Sequence, residues 1–479
     1  MGTGSNRSEP YDLVVNDALI VNATGRFHGS VGVRDGVISA ITRDGLRGAV
    51  EIDARGGAVI PGVVDAHCHF RISQGHGPDA VVSSDDYVIG PRSAAFGGVT
   101  TFIDFAIQER GRPARDEVES RIEEASAGSI IDFGFHCSLT DPRPGVLDEI
   151  EPLMERGIAS FKFFMAYAKW GFYVDLGFLQ AAMARIASRG GVVAVHAEDD
   201  EILEFWRDQK AHEPRSDMLN HSLSRPELAE EVAIRSAIAL AMETGAMLYI
   251  VHLSTARGLR AIEDGRAAGA QVVAETCPHY LAFTHDVYRQ PDGRYYTMTP
   301  PLRADGNRQA LWEGVRDGRI DVIGSDHNSF TRAQKDRATG FLDVPPGLAG
   351  TETLLPYVLS EGVSGGVITL ERAVELLCTN PARVYRLPRK GSIELGRDAD
   401  LVLLDLDEER VVADSSLHDP AAYTAFSGRR MRGWPVTTIS RGEVIVDHGT
   451  CHVRPGRGRF VPRYGANVPN RASSAAMRT

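Results

Sequence analysis

The chain has 479 residues, 43% of them apolar, and a formal net charge of −12. That length exceeds one ordinary domain and suits one large barrel plus an appendage, while the acidic balance argues against nucleic acid or an anionic membrane as partner. Five scattered cysteines make no disulfide framework and fit a reducing cytoplasm.

The first ten residues, MGTGSNRSEP, have no apolar h-region and do not make a secretory signal. A myristoylation start would need Ser or Thr where Asn6 stands. From about 11 to 58 come short alternating runs punctuated by Gly, Asp and Asn, such as YDLVVNDALIVN and GSVGVRDGVISAI. These predict β-hairpins. A second such stretch spans about 391 to 455, with DADLVLLDLD and VTTISRGEVIVD. Neither stretch holds a core alone, so both termini are expected to join in one small β-sandwich domain.

Between them, short β-branched or aromatic runs alternate with stretches of helical period. Eight such runs follow in order: AVIPGVVDAH, TTFIDFA, IIDFGFHCSL, ASFKFFMA, VVAVHAE, LYIVHLS, QVVAETC and DVIGSDH. Helix candidates between them include LGFLQAAMARIASRG, RPELAEEVAIRSAIALAMETG and NRQALWEGVRDG. This predicts an α/β fold, a (β/α)8 TIM-type barrel. A doubly wound open sheet is the main competitor, but no GxGxxG turn follows the first strand. The expected division is 1–60 with 386–460 for the β-sandwich, 61–385 for the barrel, and 461–479 for a C-terminal arm or tail. The most apolar stretch, about 236–253, is interrupted by Glu243 and His252 and is no plain membrane span.

In a barrel the C-terminal ends of the strands carry the chemistry. The first predicted strand ends in His67 and His69, whose spacing of two puts both on one face. The fourth holds Lys162 in an apolar run, the fifth ends in His196, the sixth in His252 and the eighth in Asp326. Singly, each has a plain structural reading: a strand histidine is usually a bonded core residue, and a strand lysine snorkels or pairs. Six such residues at one mouth are harder to explain that way. Four histidines and an aspartate exceed the usual three protein ligands of a mononuclear catalytic zinc. Two ions need a bridge. A buried lysine with depressed pKa can capture CO₂ as a carbamate and offer one oxygen to each ion.

The motifs PGVVDAHCHFR, GGVTTFIDF, FKFFMAY, VHAED, VHLS, ETCPHY, GSDH and NPARVYRLPRKGSIELGRDADLVLLD resemble, in order and spacing, those of the cyclic amidohydrolases. That group of the amidohydrolase superfamily comprises hydantoinases and dihydropyrimidinases, allantoinases and dihydroorotases. The resemblance covers nearly the whole chain. It implies that His67, His69 and Asp326 hold one metal, that His196 and His252 hold the other, and that carboxylated Lys162 and a hydroxide bridge them. Zn²⁺ is the expected ion, with Mn²⁺ or Co²⁺ able to substitute. Asp326 would act as general base and then general acid. Asp65 is expected to support the first-strand ligands. Cys68 and His327 are expected to face the layer between strands and helices, and His28, His212, His221 and His285 the surface. Cys277 and His279 sit at the end of the seventh predicted strand and are candidates for substrate contact.

Tyr167, five positions after Lys162, resembles the tyrosine of hydantoinases and dihydropyrimidinases, which implies a hydroxyl that helps stabilise the oxyanion; its alternative is a core aromatic. Thr299 in MTPPLR resembles a substrate-amide contact. Other residues depart from that pattern. Pro346 stands where the amide-binding Asn is usual, and Pro has no N–H. Arg71 resembles the dihydroorotase arginine that grips a carboxylate. The implied reaction is hydrolysis of a hydantoin or dihydropyrimidine to an N-carbamoyl amino acid. Allantoinase and then dihydroorotase are the alternatives, and a non-catalytic scaffold of the same fold is the alternative from another class. A small cyclic amide, no nucleic acid, no membrane and a cytoplasmic homotetramer complete the expectation. The tetramer, with its C-terminal arm on a neighbour, rests on the resemblance alone.

Overall fold

The computed structural model describes residues 10–74, 80–213 and 217–464. Eight parallel strands form the barrel: β1 (Val63–Cys68), β2 (Val99–Ile107), β3 (Asp132–Ser138), β4 (Ser160–Phe164), β5 (Val192–His196), β6 (Met247–Ile250), β7 (Val272–Thr276) and β8 (Val322–Ile323). Each pairs with the next in chain order. A parallel bridge between Cys68 and His327 joins the end of β1 to the chain just past β8. There His69 N donates to His327 O at 2.7 Å.

Strands covered on both faces should be apolar throughout rather than alternating, and β3, β4 and β5 are buried at every position. Helices fill the outer layer. In Leu176–Ser188 the buried residues Leu179, Ala182, Met183 and Ile186 recur at helical spacing, and the Asp175 side chain caps the start by accepting Phe178 N–H. The strand-to-helix layer is built on large side chains, among them Phe102, Phe133, Phe161 and Leu248. The barrel lumen holds a smaller group that includes Val64, Ala66, Ile103 and Tyr249.

Three sequence expectations need correction. The first predicted run is two strands, because Ala58–Pro61 belongs to the terminal sheet and Gly62 breaks the line. A Cβ at Gly62 would stand 2.0 Å from Thr100 Oγ1, so only glycine lets the chain pass. The sixth and eighth strands stop at Ile250 and Ile323, short of their histidine and aspartate. His252 and Asp326 instead sit on left-handed turns, with φ of 39° and 47°. Non-glycine residues hold such strained conformations where surrounding structure over-determines them, often at functional sites.

The terminal strands form one nine-stranded sheet. Ala58–Pro61 is its hinge line, pairing with Tyr11–Asn22 on one side and antiparallel with Leu401–Val411 on the other. The sheet curls: an antiparallel bridge brings Val37, at the start of its edge strand, to Asp398. Val15, Val31, Val59, Leu401 and Ile439 from both termini thereby share one core, the interior of the β-sandwich. Buried Lys390 ties this domain to the barrel through Asp132 at 2.6 Å and Asp400 at 2.7 Å.

The last described residues cross the N-terminal ends of the barrel strands. Phe460 bridges to Phe133, and fully buried Arg463 donates to Ser160 Oγ at 2.9 Å and to Phe135 O. This part of the expected arm packs on its own barrel; residues 465–479 lie outside the described residues. Among the described residues, no helix is long and apolar enough to cross a membrane.

Candidate metal centre

At the C-terminal mouth the fold brings together His67, His69, Lys162, His196, His252 and Asp326, which form the floor of a cavity open to solvent. His67 Nε2 and His69 Nε2 stand 3.1 and 3.4 Å from Asp326 Oδ1. His196 Nδ1 faces His252 Nε2 at 2.9 Å. Buried carboxylates behind the floor set which nitrogen each ring presents. Glu275 takes the Nδ1–H of His67 at 2.5 Å, and also Tyr249 O–H and His252 N–H. Glu198 takes the Nε2–H of His196 at 2.7 Å. Each of these two rings therefore turns its other nitrogen to the mouth, as happens where a carboxylate behind a metal-binding histidine fixes its tautomer.

Glycine makes room for this. A Cβ at Gly324, just before Asp326, would lie 2.8 Å from Glu275 Oε2 and 3.0 Å from His67 Cβ. Asp65 accepts from Ser325 N and Thr351 Oγ1, pinning the chain after β8 to β1.

The electrostatics fit a cation. Burial lowers His69 and His196 to about 4, and His252 well below its usual value, leaving neutral imidazoles with lone pairs. Burial acts on His67 too, but the carboxylates of Glu275 and Asp326 outweigh it and raise the ring to about 9. In the same contest Asp326, despite burial, is held ionised by His67. A proton between those carboxylates stands where positive charge is wanted. Burial lowers Lys162 to about 7, and its Nζ lies 5.5 and 5.4 Å from the ring centres of Phe105 and Phe164. A largely apolar setting that yields a neutral amine is what carbamate formation needs. His67, His69 and Asp326 also place three ligand atoms within 4.8 Å of one another. The donor set fits a divalent metal centre.

One wall is aromatic. Tyr167 follows β4 on a left-handed turn of φ 72°, which folds its ring back over the mouth. It stacks on Trp170, with centroids 4.8 Å apart and planes 11° off parallel, and Phe164 and Phe172 extend the surface. Burial raises the phenol pKa above its usual value, so Tyr167 stays a proton donor. Its hydroxyl donates to Thr299 Oγ1 at 2.7 Å. Arg225 lies over its ring at 5.4 Å and pairs with Glu198, whose carboxyl is held ionised by that guanidinium and by His196 despite burial. The non-aromatic part of the lining includes Met298, Thr299, Asn328, Pro346 and Gly347.

Other expected residues fall elsewhere. Arg71 does not line the cavity: its own left-handed turn, φ 53°, sends the side chain to Glu124. His279 and Cys277 lie beside Asp326, their ligand atoms within 4.8 Å of it, but neither lines the cavity. His221 is not a surface residue; it is buried and donates to Met298 O at 2.8 Å. His28 and His212 are exposed and His285 half-buried. Cys68 and His327 point away from the mouth, His327 donating to Asp85 at 2.8 Å. Sequence reasoning missed Glu198, Glu275, Arg225 and Trp170. The two glutamates were visible in VHAED and ETC, beside the histidine and cysteine that drew notice; nothing in the sequence pointed to Arg225.

A mouth that gathers imidazoles and a carboxylate at the ends of barrel strands defines a metal-dependent hydrolase. Residues 58–445 match the model of the amidohydrolase family, and the chain belongs to that family. It is 36% identical over 459 residues to a D-hydantoinase of Ralstonia pickettii, covering 94% of this chain and 99% of the relative. A D-phenylhydantoinase of Escherichia coli O1:K1 / APEC is 35% identical over 94% of this chain and 98% of its own length. The crystal structure of dihydropyrimidinase from Brevibacillus agri NCHU1002 superposes with a TM-score of 0.91 at 32% identity, over 95% of this chain and 99% of that one.

Proposed function

We propose that this chain hydrolyses the ring amide of a hydantoin or dihydropyrimidine to an N-carbamoyl amino acid. The observation that carries this is Tyr167, turned over the histidine floor with its hydroxyl on Thr299. That pairing puts two hydrogen-bonding side chains in the cavity lining. The names of the relatives, hydantoinases and a dihydropyrimidinase, support the same substrate class.

His67, His69 and Asp326 would hold one ion, and His196 and His252 the other, with carboxylated Lys162 between them. When bound, two divalent ions, Zn²⁺ by preference and Mn²⁺ or Co²⁺ as substitutes, supply a Lewis acid and a water acidified to near neutrality. The water oxygen adds to the ring carbonyl carbon, the ring C–N bond breaks, and the products are a carboxylate and a ureido group. Asp326, ionised in its buried place, takes the water's proton and returns it to the leaving nitrogen, which departs poorly without it. Tyr167, kept protonated, donates to the oxygen that becomes negative. Pro346 offers no N–H; its carbonyl is already engaged by Gln74 Nε2 at 2.7 Å. The aromatic wall suits an apolar or aryl ring substituent, and the relatives' names favour the D enantiomer. With Arg71 on Glu124, the feature that favoured dihydroorotate is gone. The proposed assembly is a homotetramer in the cytoplasm.

Following ring opening by NMR on the metal-loaded protein tests the reaction. Hydantoin, dihydrouracil and 5-substituted hydantoins should yield the N-carbamoyl acid. Ring opening confined to allantoin or dihydroorotate would overturn the reading.

A further inference from the structure

Among the described residues, three buried lysines have three different settings. Lys390 is paired with aspartates, and Lys162 lies in the metal centre. Lys335 is 0% exposed and, among the described residues, has no carboxylate partner. All its bonds go to neutral oxygens: Thr297 O at 3.1 Å, Thr297 Oγ1 at 3.1 Å and Gly347 O at 2.7 Å.

Those acceptors belong to the two segments of the non-aromatic wall. Thr297 leads into Met298 and Thr299, and Gly347 follows Pro346; Met298, Thr299, Pro346 and Gly347 itself line the cavity. A backbone hydrogen bond from Gly347 N to Thr297 O at 2.9 Å joins the segments directly. Lys335 spans them with two further kinds of bond. It comes from the short helix Arg332–Asp336, fixed by a capping box between Thr331 and Gln334. Gln334 also donates to Val82 O at 2.7 Å. From the far side His221 holds Met298 O.

Stability alone does not explain a lysine here. Burying an ammonium without a counter-ion is costly, and a methionine of similar length would fill the space without that cost. What methionine lacks is three N–H donors at one point. Burial lowers the pKa of Lys335 to about 7, yet three oxygen acceptors around one nitrogen require the protonated form.

We infer that Lys335 is a positioning residue for substrate recognition: it sets the spacing of the Thr297–Thr299 and Pro346–Gly347 segments against which the ring amide lies. This rests on the cyclic-amide reading of the cavity. It differs from Lys162, whose amine has aromatic faces beside it and is free to react.

The test compares Lys335→Met and Lys335→Gln with the unaltered, metal-loaded full chain. Hydrogen exchange is measured over 297–300 and 346–348, with metal content and with KM and kcat for its best ring substrate. For Lys335→Met the expected result is unchanged metal content, faster exchange in those two segments only, and KM raised about tenfold with kcat within about threefold. Lys335→Gln, which keeps two donors, should fall between, and it decides alone if the Met variant does not fold. Unchanged KM and exchange would overturn the inference, as would parallel loss of metal and kcat. If the unaltered protein opens no such ring, the substrate reading fails, while exchange still shows whether Lys335 holds the wall.

Discussion

Tyr167 shows how much one residue carries and what decides it. Its hydroxyl can serve an oxyanion only because a left-handed turn lifts the ring over the mouth and burial keeps the phenol protonated. Tyr167→Phe should lower kcat by roughly 10²-fold with metal content unchanged, read by steady-state kinetics and elemental analysis; full activity would make it a core aromatic. Lys162→Ala should lose both metal and activity, and a short-chain carboxylic acid should partly restore them by standing in for the carbamate. No rescue with metal retained would contradict the bridge. Gly324→Ala would drive a methyl into Glu275 and His67, so metal should be held more weakly, as equilibrium dialysis would show; unchanged affinity would contradict that packing. His67, Lys162 and His196 were legible because they lie on strands whose periodicity fixes their side. Arg71 was not, since the chain has left the strand and its direction depends on a single backbone turn. His221 was misplaced because its polar neighbours in sequence are not its neighbours in space.

At the scale of elements, the eight barrel strands could be found as apolar runs, yet two of them are shorter than those runs. Sequence composition does not distinguish a strand residue from the same residue on a turn just beyond it, and at His252 and Asp326 the turn is what aims the side chain. The joining of both termini was readable from their two incomplete β-rich stretches; that Ala58–Pro61 serves as the shared strand was not, because pairing over some 340 residues leaves no local mark. The C-terminal crossing was equally hidden. Arg463 fills the lower end of the barrel, and its Nε would be 3.1 Å from a Cβ at Gly134. Arg463→Ala should leave a cavity and unmade bonds to Ser160 and Phe135, and lower unfolding free energy by roughly 2–4 kcal/mol. Denaturant unfolding checks this, and an unchanged midpoint would show that the arm only rests on the barrel.

For the whole molecule, the barrel holds the chemistry and the terminal sheet braces it through Lys390 and its aspartates. The proposed homotetramer predicts a mass near four times 52.0 kDa by light scattering at micromolar concentration; a monomeric mass would contradict it. The central claim is that this mouth opens hydantoin-type rings. The most direct measurement is kcat/KM of the metal-loaded protein for D-5-phenylhydantoin against allantoin and dihydroorotate under the same conditions. The account predicts that the hydantoin leads by about tenfold or more, since each well-made contact in the transition state is worth that much. A higher value for allantoin or dihydroorotate would contradict it.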